Sequence, residues 1–298
     1  MQELLDIING SLLGDGCIKS DKEKYFTFQY TAKDKNFLEN LKEKLGRFGI
    51  KCWITVDNPG IFKLAFYINT CPYKEFMNLR KEWYTKQNGK TQKILPDELE
   101  LTPTTLFYWY IGDGCLVRRK NDENRVPTIC LATNCFDEKD LQFLLQKLKE
   151  QNLNFYANKC GSGFNEDKDG GYALYSNVED GTPLRFFQTI GLECPRQISN
   201  CSTGRKGIDH RERFFCDKWP TEDDWIKILS NEKRIGKFLR EKRFEMKLTQ
   251  KQMGNKIGMR RENIRDVELK KRNFCVKNFR KVLSATGIST DYLLEKLN

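Results

Sequence analysis

Two aspartates stand at equivalent places in two near-copies of one short motif, Ile8-Asn-Gly-Ser-Leu-Leu-Gly-Asp-Gly16 and Leu106-Phe-Tyr-Trp-Tyr-Ile-Gly-Asp-Gly114. Each motif is an apolar run of helical character ending in Gly-Asp-Gly, so Asp15 and Asp113 each fall at the C-terminal end of a helix. That end is the negative pole of the helix dipole and a poor place for an anion. Two such ends brought together repel unless a divalent cation sits between them. A hard, oxygen-only donor set favours Mg2+, with Mn2+ or Ca2+ able to take the same place. Carboxylates that hold such ions activate water and neutralise charge in phosphodiester hydrolysis. One Asp-Gly alone would read as a turn. Its repetition inside matched surroundings favours a site.

The surroundings do match. After Gly16 the pattern predicts strands at 17–20 and Tyr25–Thr31, a helix at Lys33–Phe48, strands at Ile50–Asp57 and Ile61–Asn69, and a helix from Tyr73. After Gly114 it predicts strands at 115–120 and Arg125–Thr133, a helix at Asp137–Gln151, strands near Asn154–Cys160 and Gly171–Ser176, and a helix from Thr182. The order αββαββα therefore occurs twice, an α+β arrangement with halves at 1–102 and 103–215. A pseudo-two-fold protein suits a two-stranded, near-palindromic substrate. Strand alternation puts one face on a core and the other on a groove. Phe26, Phe28, Phe62 and Phe66 read as core. Lys19, Lys22, Lys24, Gln29 and Thr31 in the first half, and Arg118, Arg119, Lys120, Asn121 and Arg125 in the second, read as groove-facing.

Charge points the same way. The 298 residues carry a net charge of +11, yet residues 231–298 alone hold 19 Lys and Arg against 8 Asp and Glu. The polyanion-seeking excess thus sits in the last quarter, and the break marks a boundary. No uncharged apolar run is long enough to span a membrane, and the acidic start, MQELLDIING, lacks a secretory n-region. The 11 cysteines are odd in number and contain no C-x-x-C, so reduced thiols in a cytoplasmic setting are expected. The single histidine, His210, weighs against zinc sites, triads and His-dependent nucleases.

The last quarter reads as five helices. The first starts at Asn231. Thr249 caps the second, which exits at Gly258 in a left-handed turn. The third, from Met259, turns Ile264 and Val267 inward and Arg260, Arg261, Asn263 and Arg265 outward; two more follow. Residues 216–230 read as a connector, with Thr221 placed to cap a short helix.

The two Gly-Asp-Gly segments resemble the LAGLIDADG motifs of homing endonucleases and related intron maturases. Gly10 and Gly14 supply a G-x-x-x-G spacing for close helix approach, and the Tyr-Trp of the second motif, with Leu101-Thr-Pro103 before it, resembles the intron-encoded type. The second motif departs by placing Tyr108 where the first has Gly10. The resemblance implies Asp15 and Asp113 as catalytic metal ligands, with the Gly14 and Gly112 carbonyls as further ligands. It also implies a basic residue from each half. Lys93, before Pro96, matches in the first half. In the second, Arg196 or Gln197 stands near the expected place, with Lys206 further off, which puts symmetric cutting in doubt.

The last 65 or so residues resemble the lambda-repressor/Cro helix-turn-helix family through IGKFLREKR, the LTQ opening, the Ile-Gly turn and TG-x-S-x-DYLL. That resemblance implies Gln250 on phosphate and the third helix in the major groove, where Arg260, Arg261 and Asn263 suit guanine and adenine edges. The expectation is a monomeric, Mg2+-dependent homing endonuclease cutting a long double-stranded DNA site, from a bacterial or phage mobile element such as an intron. The helical module would add affinity or repress its own gene. An intron-RNA maturase, or a DNA-binding regulator on the same scaffold, is the alternative.

Overall fold

The computed structural model describes residues 1–21, 24–57, 65–87, 89–119, 122, 124–159, 171–195 and 216–297. Helix α1 (Gln2–Leu13) leads into β1 (Gly16–Asp21), β2 (Tyr25–Ala32), α2 (Lys35–Arg47), β3 (Cys52–Asp57), β4 (Ala65–Thr70) and α3 (Lys74–Trp83). Then α4 (Pro103–Asp113) leads into β7 (Gly114–Val117), β8 (Thr128–Ala132), α5 (Glu138–Glu150), β9 (Phe155–Lys159), β10 (Tyr172–Ser176) and α6 (Thr182–Ile190). The αββαββα order is present twice. A hairpin that the pattern missed, β5 (Tyr84–Gln87) and β6 (Lys90–Lys93), lies between the two runs and ends on Lys93.

The sheets repeat as well. Strand orders are β1-β2-β4-β3 and β7-β8-β10-β9, with antiparallel pairing such as Gly16 opposite Tyr30 and Leu174 opposite Leu131. One tie recurs in both: the Phe28 amide donates to Thr70 Oγ1 at 2.9 Å, and the Ile129 amide to Ser176 Oγ at 2.9 Å. Local capping sets the helix starts. Asp34 accepts from the Phe37 amide and Asp137 from the Asp140 amide, while Thr102 caps α4 just before Pro103. Leu38, Leu41 and Leu45 of α2, and Leu141, Leu144 and Leu148 of α5, recur at helical spacing and are buried.

The chain divides into two compact units. One comprises 1–115, 130–175 and 189–219 and contains α1 and α4; the other comprises 116–129, 176–188 and 220–298. In the second unit, α7 (Glu222–Ser230) precedes α8 (Ile235–Glu245), α9 (Gln250–Ile257), α10 (Arg261–Glu268), α11 (Val276–Thr286) and α12 (Thr290–Leu297). Residues 216–230, expected as a connector, are therefore ordered. Thr221 forms a capping box with Asp224, Trp225 packs edge-on against Phe187 at 5.7 Å, and Gln188 Nε2 donates to the Leu297 carbonyl at 2.9 Å. The first helix of the last quarter begins at Ile235, not Asn231, because Asn231 already caps the C-terminus of α7. Gly236 permits close contact of α8 with α10: a Cβ there would lie 2.0 Å from the Val267 carbonyl oxygen. Gly258 ends α9 at φ +70°, the left-handed exit expected.

Among the described residues no helix is long and apolar enough to cross a membrane. Among the described residues Cys17, Cys52, Cys71, Cys115, Cys135 and Cys275 are in no disulfide.

Candidate active site

Helices α1 and α4 pack along their glycines. A Cβ on Gly10 would stand 2.3 Å from the Thr105 carbonyl oxygen and 2.8 Å from Tyr108 Cβ. The tyrosine that breaks the second motif thus fills the hole that the first motif leaves. At the far end a Cβ on Gly14 would stand 3.2 Å from Gly112 Cα, and one on Gly112 3.0 Å from the Asp15 amide nitrogen. The two C-terminal helix ends abut, and Asp15 and Asp113 emerge side by side.

Electrostatics follow from that contact. Burial first, and the Asp15 charge second, push the Asp113 carboxyl up to about 6. Burial raises Asp15 too, while Lys218, Lys93 and Lys33 pull it back down. Lys93 Nζ donates to the carbonyls of Leu12 at 2.6 Å and Gly16 at 3.1 Å, at the end of α1. Its counterpart is Lys218, in a short 3-10 turn at Cys216–Lys218. Its ammonium donates to the carbonyls of Tyr110, Ile111 and Gly112 at the end of α4. Burial depresses Lys93, and it depresses Lys218 to about 8. The Tyr110 hydroxyl in turn donates to the Lys218 carbonyl. Each helix end therefore carries one carboxylate and one ammonium.

Lys218 is the residue that sequence reasoning missed. The expected positions, Arg196 and Gln197, and the outlying Lys206, lie outside the described residues, as do Lys22, Lys120 and Asn121. The available signal was the Lys-Trp-Pro of 218–220, set before a proline as Lys93 is before Pro96. The Gly112 carbonyl, expected as a metal ligand, accepts from Lys218, which engages one of its two lone pairs.

The donor set fits a hard divalent cation. Two carboxylates that repel one another gain most from a cation between them. Among the described residues no cluster of three or more His, Cys, Asp or Glu converges.

Beside this centre, β2 alternates as predicted. Phe28 and Tyr30 are buried, while Gln29 and Thr31 sit on the opposite, partly open face, and Lys19 and Lys24 are exposed. Gln29 Nε2 donates to Asn69 Oδ1 at 2.7 Å, and Asn69 Nδ2 to Thr55 Oγ1 at 3.1 Å. Asn69, Thr55 and the exposed Trp53 join this polar face, and none was anticipated.

Arg118, expected to face the groove, is exposed, and its Nε donates to Asp224 Oδ2 at 2.8 Å, where Asp224 is only 4% exposed, so this nitrogen is committed to an ion pair within the protein. Arg119 and Arg125 are exposed, but Arg125 lies in a turn ahead of β8 and not in the strand predicted from it. Arg260 and Arg261 are exposed at the start of α10. Others nearby are already engaged: Gln250 Nε2 donates to Glu268, Asn263 accepts from Arg272, and Arg265 pairs with Asp266. Glu268 is held in a buried bidentate pair by Arg243, at 2.6 and 3.0 Å.

Residues 5–180 match the family model described as the LAGLIDADG DNA endonuclease family. An uncharacterized protein of Methanocaldococcus jannaschii, MJ1098, is 30% identical over 153 residues, 50% of this chain; the chain spans 56% of that relative's length. The homing endonuclease I-WcaI bound to its DNA recognition sequence is similar in fold, with TM-score 0.50 and 21% identity over 64% of this chain and 81% of that one. Full-length DUF199/WhiA from Thermatoga maritima is a looser likeness, with TM-score 0.43 and 15% identity over 97% of this chain and 93% of that one.

Proposed function

We propose that this chain, which belongs to the LAGLIDADG DNA endonuclease family, is a site-specific homing endonuclease that breaks both strands of a long double-stranded DNA target. One observation carries the reading: at abutting helix ends each half contributes an aspartate, and each end also carries a lysine ammonium, from Lys93 in the first half and from Lys218 in the segment that follows the second. Asp15 and Asp113 would hold Mg2+, or Mn2+ or Ca2+ in its place, which when bound neutralises charge at the scissile phosphate and acidifies water. Lys93 and Lys218 offset the negative charge that develops on the phosphate oxygens. Lys218, titrating near 8, is also suited to hold or pass a proton near neutral pH. The polar face built on Gln29, Asn69 and Thr55 offers amide donors and acceptors of the kind that read base edges in a major groove.

Because both halves are carried on one chain, a monomer supplies the whole centre. Helices α8–α12 are read as a lambda-repressor-like helix-turn-helix, with Arg260 and Arg261 offered to DNA from α10. The module would add affinity or repress the host element, a bacterial or phage intron or similar mobile DNA in the cytoplasm. The maturase alternative drew its weight from the want of a second-half lysine. Lys218 supplies one, which favours cutting of both strands over RNA binding alone.

The test is cleavage of DNA selected from a random library, with Mg2+, by wild type, Asp15→Asn and Asp113→Asn. Double-strand cutting lost in both variants supports the proposal. Tight cation-independent binding with no cutting would replace it with a maturase or regulator on the same fold.

A further inference from the structure

One polar group at the centre has no partner. The Tyr30 side chain is 1% exposed, and its hydroxyl makes no hydrogen bond. It lies 3.0 Å from where a Cβ on Gly112 would stand, and Asp15 and Asp113 are the leading charges acting on it. An enclosed hydroxyl left unsatisfied is destabilising. Packing does not ask for it, since a phenylalanine would fill nearly the same space against Phe37, whose ring lies 5.3 Å away. Burial and the two aspartates hold the phenol far above its ordinary pKa, so it remains a neutral donor.

We propose that Tyr30 is a positioning residue for the carboxylate pair: its hydroxyl, unpartnered without cation, donates to a carboxylate once a divalent cation is bound and so fixes that carboxylate's orientation. The proposal rests on the nuclease reading above. The donor comes from one half only. The repeated amide ties, Phe28 to Thr70 and Ile129 to Ser176, mark equivalent strand positions, and two residues further on stand Tyr30 and Leu131. Leucine has no donor, so the centre is supported asymmetrically although its carboxylates and lysines are paired. Groups that orient metal ligands typically change cation affinity by 10–100-fold when removed.

The experiment compares full-length wild type and Tyr30→Phe, each bound to the library-selected DNA. Ca2+ affinity is measured by calorimetry, and melting is followed without cation. The expected result is about a tenfold loss of Ca2+ affinity, with a melting temperature unchanged or raised because an unsatisfied hydroxyl has been removed. Strand-labelled DNA with Mg2+ should then show one strand slowed more than the other. Wild-type Ca2+ affinity in the variant overturns the proposal. So does a cation-free melting temperature well below wild type, which would give the hydroxyl a structural bond instead. Wild type that takes up no Ca2+ overturns the nuclease reading itself, a result distinct from an effect of the variant.

Discussion

Lys93 and Lys218 sit at the two abutting helix ends, Lys93 donating to the Leu12 carbonyl of α1 and to Gly16 at the start of β1, and Lys218 to the last carbonyls of α4. Their segments share little beyond a proline that follows, Pro96 in one case and Pro220 in the other. What they share is physical. The last carbonyls of a helix lack amide partners, and a buried ammonium satisfies them. The same ammonium relieves the carboxylate beside it. Position in the chain is free to vary so long as the helix end is reached.

If each lysine serves one scissile phosphate, Lys93→Met and Lys218→Met should each slow cutting of a different strand, by about a hundredfold. Nicked DNA should accumulate, and labels on opposite strands would assign each lysine its strand. Equal slowing of both strands by either variant would mean that the two lysines act jointly.

Asp113 gives a pH test. Its folded pKa, about 6, is raised above the ordinary carboxylate value of 3.8, so the native state holds the proton more tightly than the unfolded chain. Its stabilising contribution is therefore full below about pH 4 and is lost as pH rises through about 6. In EDTA, Asp113→Asn should stabilise the protein near pH 7.5, by at most about 3 kcal/mol, and should give no gain near pH 4. Equal melting shifts at both pH values would mean that Asp113 is not strained by its surroundings. Mg2+ should shrink the gain by relieving the wild-type repulsion.

These contrasts track what the sequence could reveal. Asp15 and Asp113 were legible because Gly-Asp-Gly at a helix end is a local pattern, and it occurs twice. Gln29 and Thr31 were legible through strand alternation, and Thr221, Thr249 and Gly258 through capping chemistry that acts within a few residues. Lys218 was not, because its role is set by carbonyls of Tyr110 to Gly112, far away in the chain. The Arg118–Asp224 pair was not legible for the same reason: nothing near Arg118 announces Asp224. Alternation shows which side chains leave the core, but not which of them meet another part of the protein on the way out.

The glycines offer a stability contrast. Gly10→Ala forces a methyl to 2.3 Å from a backbone oxygen of the facing helix, which cannot move without parting α1 from α4. Overpacking of that kind costs about 1–3 kcal/mol, and more where backbone is the obstacle. Gly46, inside α2, has nothing within 4 Å of its would-be Cβ. Gly46→Ala should stabilise by about 0.5–1 kcal/mol through helix propensity. Thermal melting of the two variants checks both signs, and a harmless Gly10→Ala would contradict the close crossing.

The arginines separate support from recognition. Arg118→Ala leaves Asp224 buried without its ion pair, although the capping box with Thr221 remains. Arg118 is about a third exposed, so solvent screens the pair and the loss should be modest, about 1–2 kcal/mol. Its effect belongs in the melting temperature, with little change in how DNA affinity depends on salt. Arg260→Ala with Arg261→Ala should do the reverse, because both side chains are exposed. Each lost phosphate contact lowers the slope of log affinity against log salt by about 1, so the double variant should lose up to about 2 while melting as wild type does. Point variants are a cleaner probe here than removal of residues 231–298. That cut would strip Leu297 from Gln188 and Asn231 from the Val178 carbonyl, mixing lost DNA contact with lost folding. A salt slope unchanged in the double variant would remove Arg260 and Arg261 from the DNA interface, and one reduced by Arg118→Ala would return that residue to it.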